Sequence, residues 1–263
     1  MRASGHRAAL LNLWNCRRPQ CAAVTASGLR LVVFDERGGK TLAADAIVNP
    51  LLLPRSHRYG GKAKLFLGPR YLPMSAPAMP HPRPPQGCVR RVLVTFGGVD
   101  RTGATLHAIS ALSPFAGISI RLVLGPGFNR RAAATAAISA APKGQFHVFT
   151  AVKDLSPHLL WSDVVINSGG NTLCEAASLG RPVIIAHEDP HELAHGRAFE
   201  RQGFGICVGR GTALSAPVLR LALRKLDPPS VRRRMASAGR RIVDGQGTRR
   251  IASLMKGLSR RYF

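Results

Sequence analysis

The chain has 263 residues, 45% of them hydrophobic, with 38 lysines and arginines against 13 aspartates and glutamates, for a formal net charge of +25. That length holds one large or two modest domains, and no apolar run approaches the ~18 residues of a membrane span, so an integral membrane protein is excluded. The charge attracts nucleotides, nucleic acid and acidic lipid headgroups without choosing among them.

Other features narrow the field. Arginine pairs such as Arg130-Arg131, Arg240-Arg241 and Arg249-Arg250 are scattered, aromatics make up only 6%, and zinc, RNP and KH signatures are missing. A specific nucleic-acid partner is therefore not expected; peripheral attraction to an anionic membrane is compatible with the charge. The sequence does not indicate an oligomeric state. Cys16, Cys21, Cys88, Cys174 and Cys207 contain no Cys-x-x-Cys pair and leave an odd one over. Reduced thiols in a cytoplasmic protein fit this better than a disulfide framework or a zinc site.

Taken in chain order, the N-terminus has a basic start and a brief apolar patch broken by Asn12 and Asn15, without a cleavage motif, so a signal peptide is not expected. Residues 1–28 carry no assignable period. Residues 29–71 hold three strand-like runs, LRLVVFDE, DAIVNPLLL and KLFLGPRY, which read as the last strands of an α/β unit too short to be complete. The expected division is a partial N-terminal α/β domain over 1–72, a proline-rich linker over 73–89 and a C-terminal domain over 90–263.

From residue 90 the pattern repeats: RVLVTF, SIRLVLG, FHVFT, SDVVINS and PVIIA are each followed by a turn and a helical segment. Continuous β-branched runs alternating with helices predict a doubly wound, parallel, Rossmann-like sheet covered on both faces. Ligands of such sheets settle at the carboxyl ends of the strands, where helix N-termini offer unpaired N–H groups and partial positive charge to a phosphate.

The turn INSGGNTLCE is built for that position. Gly169 and Gly170 let an anion approach the backbone, and Asn171 and Thr172 supply donors. Glu175, one turn on, suits the two hydroxyls of a ribose. The alternative is a capped helix with Asn171 as cap, two turn-forming glycines and a favourable first-turn carboxylate. Gly97-Gly98, with Asp100 close behind, and Gly125-Pro126-Gly127 follow earlier strands and would line the same edge. His187, His191 and His195 are spaced i, i+4, i+8 like metal ligands, but Pro190 interrupts the segment and argues for anion or nucleotide contacts instead.

VLVTFGGVD, DLSPHLLWSDVVINSGGNTLCEAASLGRPVI and IVDGQGTRRIASLM resemble the C-terminal domain of the UDP-sugar hydrolase of pseudaminic acid biosynthesis, a GT-B-class relative of the lipid II-forming N-acetylglucosaminyltransferase. LVVFDE, DAIVNPLLL, the tyrosine of HRYGG and LFLGPRYLPM follow in the order of that family's joining segment, so the resemblance covers roughly residues 29–258.

It implies two facing Rossmann-like domains and hydrolysis of UDP-2,4-diacetamido-2,4,6-trideoxy-β-L-altropyranose to UDP and free sugar, without metal or other cofactor. Gly169, Gly170 and Thr172 would hold the diphosphate and Glu175 the ribose, with Asn171 also among the UDP-binding residues. Gly97, Gly98 and Asp100 would flank the sugar-phosphate side of the cleft. Where the family reads Asn-Gln-x-x-Asn, this chain has His191, Glu192 and His195. The family's catalytic histidine lies in a Gly-x-Gly-His-x-x-Arg loop, of which only Gly5-His6 is matched, so His6 is the candidate base. It stands too near LVVFDE for a whole Rossmann half. The expectation is a truncated or divergent N-terminal domain in a chain that binds UDP-sugar and turns it over slowly or not at all. A GT-B glycosyltransferase with a UDP-sugar donor and a non-catalytic nucleotide-sugar binding protein are the alternatives.

Overall fold

A computed structural model describes residues 7–12, 17–35, 42–52, 59–74 and 86–260. Every pairing between its strands is parallel, in two sheets. The chain divides into a first unit, Met1–Pro77 with Asp244–Phe263, and a second unit, Ala78–Val243.

In the first unit, β1 (Ala8–Asn12), β2 (Arg30–Phe34), β3 (Ala46–Asn49) and β4 (Lys64–Leu67) lie side by side in chain order. The two-residue period of β2 explains its unbroken apolar run. Leu31 and Val33 pack with Cys21 of α1 (Arg18–Ala26), while Val32 and Phe34 pack with Ile251 of α9 (Gly247–Arg260). Leu254, Met255 and Leu258 extend that second contact at helical spacing. Beyond the strand ends, the Tyr59 hydroxyl donates to buried Asp35 at 3.0 Å and accepts from Asn49 Nδ2 at 2.7 Å, closing a polar cluster.

Two features differ from the sequence expectation. Residues 1–28, which show no period, contain β1 and α1. Strand β1 is half exposed, and α1 buries only Cys21, so neither carries a strong apolar stripe. Residues 244–263, expected in the C-terminal domain, belong to the first unit because the apolar face of α9 covers its sheet. Of the expected linker over 73–89, residues 75–85 lie outside the described residues. On its near side Met74 bonds through both N–H and carbonyl to the Thr248 hydroxyl, each at 3.1 Å. On the far side Val89 N–H donates to Asp227 at 2.9 Å.

The second unit follows the predicted alternation. Its strands are β5 (Arg91–Val94), β6 (Ser119–Leu124), β7 (Phe146–Thr150), β8 (Val164–Asn167), β9 (Val183–His187) and β10 (Ile206–Arg210), and its helices include α2 (Ala104–Leu112), α3 (Arg131–Ser139), α4 (Ser156–Trp161), α5 (Asn171–Ser178) and α6 (Pro190–Arg201). Two further helices, α7 (Ala216–Leu226) and α8 (Pro229–Ile242), complete the unit. The spatial order β10-β9-β8-β5-β6-β7 reverses between β5 and β8. Chain order runs outward in one direction from β5 and in the other from β8. A crevice therefore opens at the carboxyl ends of these two neighbours, the place where open α/β sheets receive ligands.

Candidate functional site

The crevice at the β5/β8 switch point holds a cavity of about 420 Å³. The turn after β5 forms one wall, the turn after β8 another, and the start of α6 a third.

In the first wall Gly97 adopts φ +71°, open to a glycine but strained for other residues. Asp100 also has positive φ, at +48°, and its buried carboxylate accepts from the N–H groups of Ala104 at 2.8 Å and Thr105 at 3.0 Å. Asp100 is thus the acidic cap of α2, with both carboxylate oxygens engaged by backbone donors. The expectation that it faces a ligand is corrected to that extent: it lines the cavity yet holds the helix. Gly125-Pro126-Gly127, expected to line the same edge, instead supports this turn from behind. Gly127 N–H donates to Gly98 O at 2.8 Å, and a Cβ on Gly125 would strike the carbonyls of Gly97 and Gly98.

The second wall begins at Asn167, whose Oδ1 accepts from Gly169 N–H at 3.0 Å. Gly169 has φ +103°, and a Cβ there would stand 3.0 Å from Glu192 O. No side chain caps α5, which starts after Gly170. The capping role considered for Asn171 is therefore not observed, and Asn171 and Thr172, the first two residues of α5, line the cavity, while Leu173 N–H donates to Gly170 O at 3.0 Å.

The third wall corrects the reading of residues 191–195. Glu192 does not stand free: Oε1 accepts from the Ser168 hydroxyl at 2.7 Å and Oε2 from Glu188 N–H at 2.8 Å, tying α6 to the β8 turn. His195 is buried, with Nδ1 2.7 Å from Gly169 O and Nε2 4.0 Å from Cys174 Sγ. A carbonyl only accepts, so Nδ1 carries the proton. Burial pulls His195 down to about 4, which keeps it neutral. It supports the glycine turn and does not line the cavity. His191 is half-buried on the first turn of α6 and His187 is buried at the end of β9. Among the described residues no group of three or more His, Cys, Asp or Glu side chains is arranged to hold a metal ion.

The fold thus gathers Gly97, Gly98, Asp100, Gly170, Asn171, Thr172 and Glu192 around one cavity. Gly169, Glu175, His191 and His195 are outside its lining. Glu175, half-buried one turn into α5, is raised above the usual carboxylate range, first by burial and then by the charge of Asp154 in the β7–α4 connection. Asp154, whose charge acts on it, stands at the same sheet edge, after β7. His6 lies outside the described residues. Sequence reading missed Arg101, which is one arginine among many.

No family model matches the chain. It is 26% identical over 245 residues to the spore coat polysaccharide biosynthesis protein SpsG of Bacillus subtilis (strain 168), covering 89% of this chain and 71% of that protein. It is 27% identical over 150 residues to the UDP-N-acetylglucosamine–N-acetylmuramyl-(pentapeptide) pyrophosphoryl-undecaprenol N-acetylglucosamine transferase of Sorangium cellulosum (strain So ce56), covering 55% of this chain and 37% of that enzyme. Among solved structures it resembles MurG of Acinetobacter baumannii, with a TM-score of 0.68 at 13% identity over 94% of this chain and 72% of that one. The architecture is a GT-B-like α/β fold of two parallel-sheet Rossmann-like units, related to those of MurG and SpsG. No helix among the described residues is long and apolar enough to cross a membrane.

Proposed function

We propose that the chain binds a UDP-sugar in the β5/β8 crevice and transfers its glycosyl group from UDP to an acceptor hydroxyl. One observation carries this reading: two glycine-bearing turns, one of them opening into the uncapped N-terminus of α5, converge on a single cavity at the switch point. Gly97, Gly98, Gly170, Asn171 and Thr172 would surround the diphosphate. Glu175, on the neighbouring part of the edge, would take the ribose hydroxyls, and its lack of a hydrogen-bonding partner among the described residues supports that role. The likeness to a UDP-N-acetylglucosamine transferase supports a UDP-sugar donor and an acceptor other than water.

A second reading is hydrolysis of a UDP-linked 2,4-diacetamido-2,4,6-trideoxy sugar, with water as acceptor, in pseudaminic acid biosynthesis. It is favoured by the ordered set of segments from LVVFDE to IVDGQGTRRIASLM. Both readings share the donor site and break the same bond between the anomeric carbon and the diphosphate. They differ in the attacking oxygen, so UDP release separates them. Release from UDP-N-acetylglucosamine or the diacetamido donor only when a saccharide or lipid-linked acceptor is added supports transfer. Equal release without acceptor supports hydrolysis. Failure to bind UDP at all contradicts both.

A further inference from the structure

The cavity poses an electrostatic problem for any phosphate-bearing ligand. In a chain of net charge +25 with only 13 acidic residues, four of them meet at this mouth: Asp100, Glu188 and Glu192 line it, and Asp189 adjoins it. Unless compensated, these carboxylates oppose a diphosphate. Asp100 and Glu192 are largely compensated by the donors already described. Burial, followed by hydrogen bonding to Asp100, pushes Glu188 up from the ordinary carboxylate range.

One cation lines the cavity among the described residues, Arg101. Its guanidinium now reaches across from the β5 turn to the β9–α6 connection, with Nη2 2.8 Å from Asp189 Oδ2 and Nε 3.6 Å from Glu188 Oε2. The nearby Arg130 cannot substitute, because its guanidinium is engaged with the carbonyls of Asp100 and Arg101 at 3.0 and 3.3 Å. That engagement fixes the backbone from which Arg101 projects. The Arg101 side chain is 59% exposed and that of Asp189 36%, so their pair is a solvent-screened contact of small net strength. A guanidinium fork on a fixed base, held at 2.8 Å by a screened exposed partner and only at 3.6 Å by Glu188, is ready to exchange the Asp189 contact for two phosphate oxygens.

We infer that Arg101 is a diphosphate-binding residue that exchanges its ion pair with Asp189 for the ligand's phosphates, so that Asp189 competes with the ligand. The inference rests on the UDP-sugar reading of the same cavity. It sets opposite signs for the two partners. Losing Arg101 removes the phosphate contact, whereas losing the Asp189 charge releases Arg101 to make it. A merely structural strap between the two loops would weaken the site whichever end is cut.

The test is calorimetry on the full chain with Arg101→Gln and Asp189→Asn, using UDP, uridine and inorganic pyrophosphate, with thermal melts to verify folding. Asn at 189 retains the oxygen that accepts from Glu192 N–H as the cap of α6. Arg101→Gln should weaken UDP about tenfold or more and leave uridine unchanged, in line with loss of charge-assisted hydrogen bonds. Asp189→Asn should tighten UDP roughly two- to fivefold, an effect that fades at high salt as screening removes the competition. Unchanged UDP affinity in Arg101→Gln, or weakening by both variants, overturns the inference while leaving the nucleotide reading intact. If the wild-type chain does not bind UDP, that reading fails, and pyrophosphate decides Arg101. Pyrophosphate binding lost in Arg101→Gln upholds its role as a diphosphate ligand, and no pyrophosphate binding by the wild type overturns it.

Discussion

His195 Nδ1 donates to the carbonyl oxygen of Gly169 across 2.7 Å, from a buried position on α6 to the left-handed glycine of the β8–α5 turn. This bond couples the helix after β9 to the turn that presents the N-terminus of α5. The imidazole must stay neutral to remain buried, and burial holds it at about 4 against an ordinary value of 6.5. The unfolded chain therefore binds the proton first as pH falls. Stability from this residue is complete above about pH 6.5 and is lost as pH drops toward 4, a contribution of roughly 3 kcal/mol by linkage. His195→Gln keeps an amide donor without the titration. Its melting temperature should fall less steeply than the wild type's between pH 6.5 and 4.5; parallel slopes would show that His195 does not titrate differently on folding.

Gly125 lies where a side chain would enter the carbonyls of Gly97 and Gly98. Gly125→Ala should force the β5 turn out of place, lower stability by about 1–3 kcal/mol or more, and weaken UDP binding although residue 125 does not line the cavity. Denaturant unfolding and UDP calorimetry check both halves. A variant of wild-type stability and affinity would mean that the turn yields freely.

Glu175 is raised by burial and by Asp154. A carboxylate that accepts from a ribose diol must be ionised, so uridine affinity should rise with pH through the raised Glu175 value and level off above it. Glu175→Gln should flatten this dependence, and Glu175→Ala should cost roughly 1.5–3 kcal/mol of UDP binding without unfolding the chain. NMR titration with uridine, whose lack of phosphate removes a second titrating group, reads this directly. A pH profile unaltered by Glu175→Gln would take the residue out of the nucleoside site.

Strands β5 to β9 were legible as apolar runs, most clearly where a parallel strand buried on both faces must be apolar throughout, as in VLV of β5 and VVI of β8, whereas the half-buried edge strand β10 was missed. The two cavity-lining turns were legible because glycine at a strand end is a backbone requirement visible in one dimension. The functions of Asp100, Glu192 and His195 were not. Each has its polar atoms engaged by a group distant in space or hidden in the backbone, namely the α2 N–H groups, Ser168 with Glu188 N–H, and Gly169 O. A histidine spaced four residues from another looks the same in sequence whether it turns outward to a ligand or inward to a carbonyl. The placement of α9 was hidden for a similar reason. Its stripe of Ile251, Leu254, Met255 and Leu258 announces an amphipathic helix, but the sheet it covers is built some 200 residues earlier.

In the proposed reading, the crevice between the Gly97-Gly98 turn and the N-terminus of α5 holds the diphosphate of a UDP-sugar. Thr172→Val retains side-chain shape and deletes the one hydroxyl that α5 offers the cavity from its first two residues. Calorimetry of wild type and variant with UDP and with uridine tests the claim most directly. The wild type should prefer UDP to uridine by about tenfold or more, as expected for charge-assisted hydrogen bonds, and Thr172→Val should narrow that preference while leaving uridine nearly unchanged. Equal binding of UDP and uridine by the wild type, or equal loss of both in the variant, would contradict it.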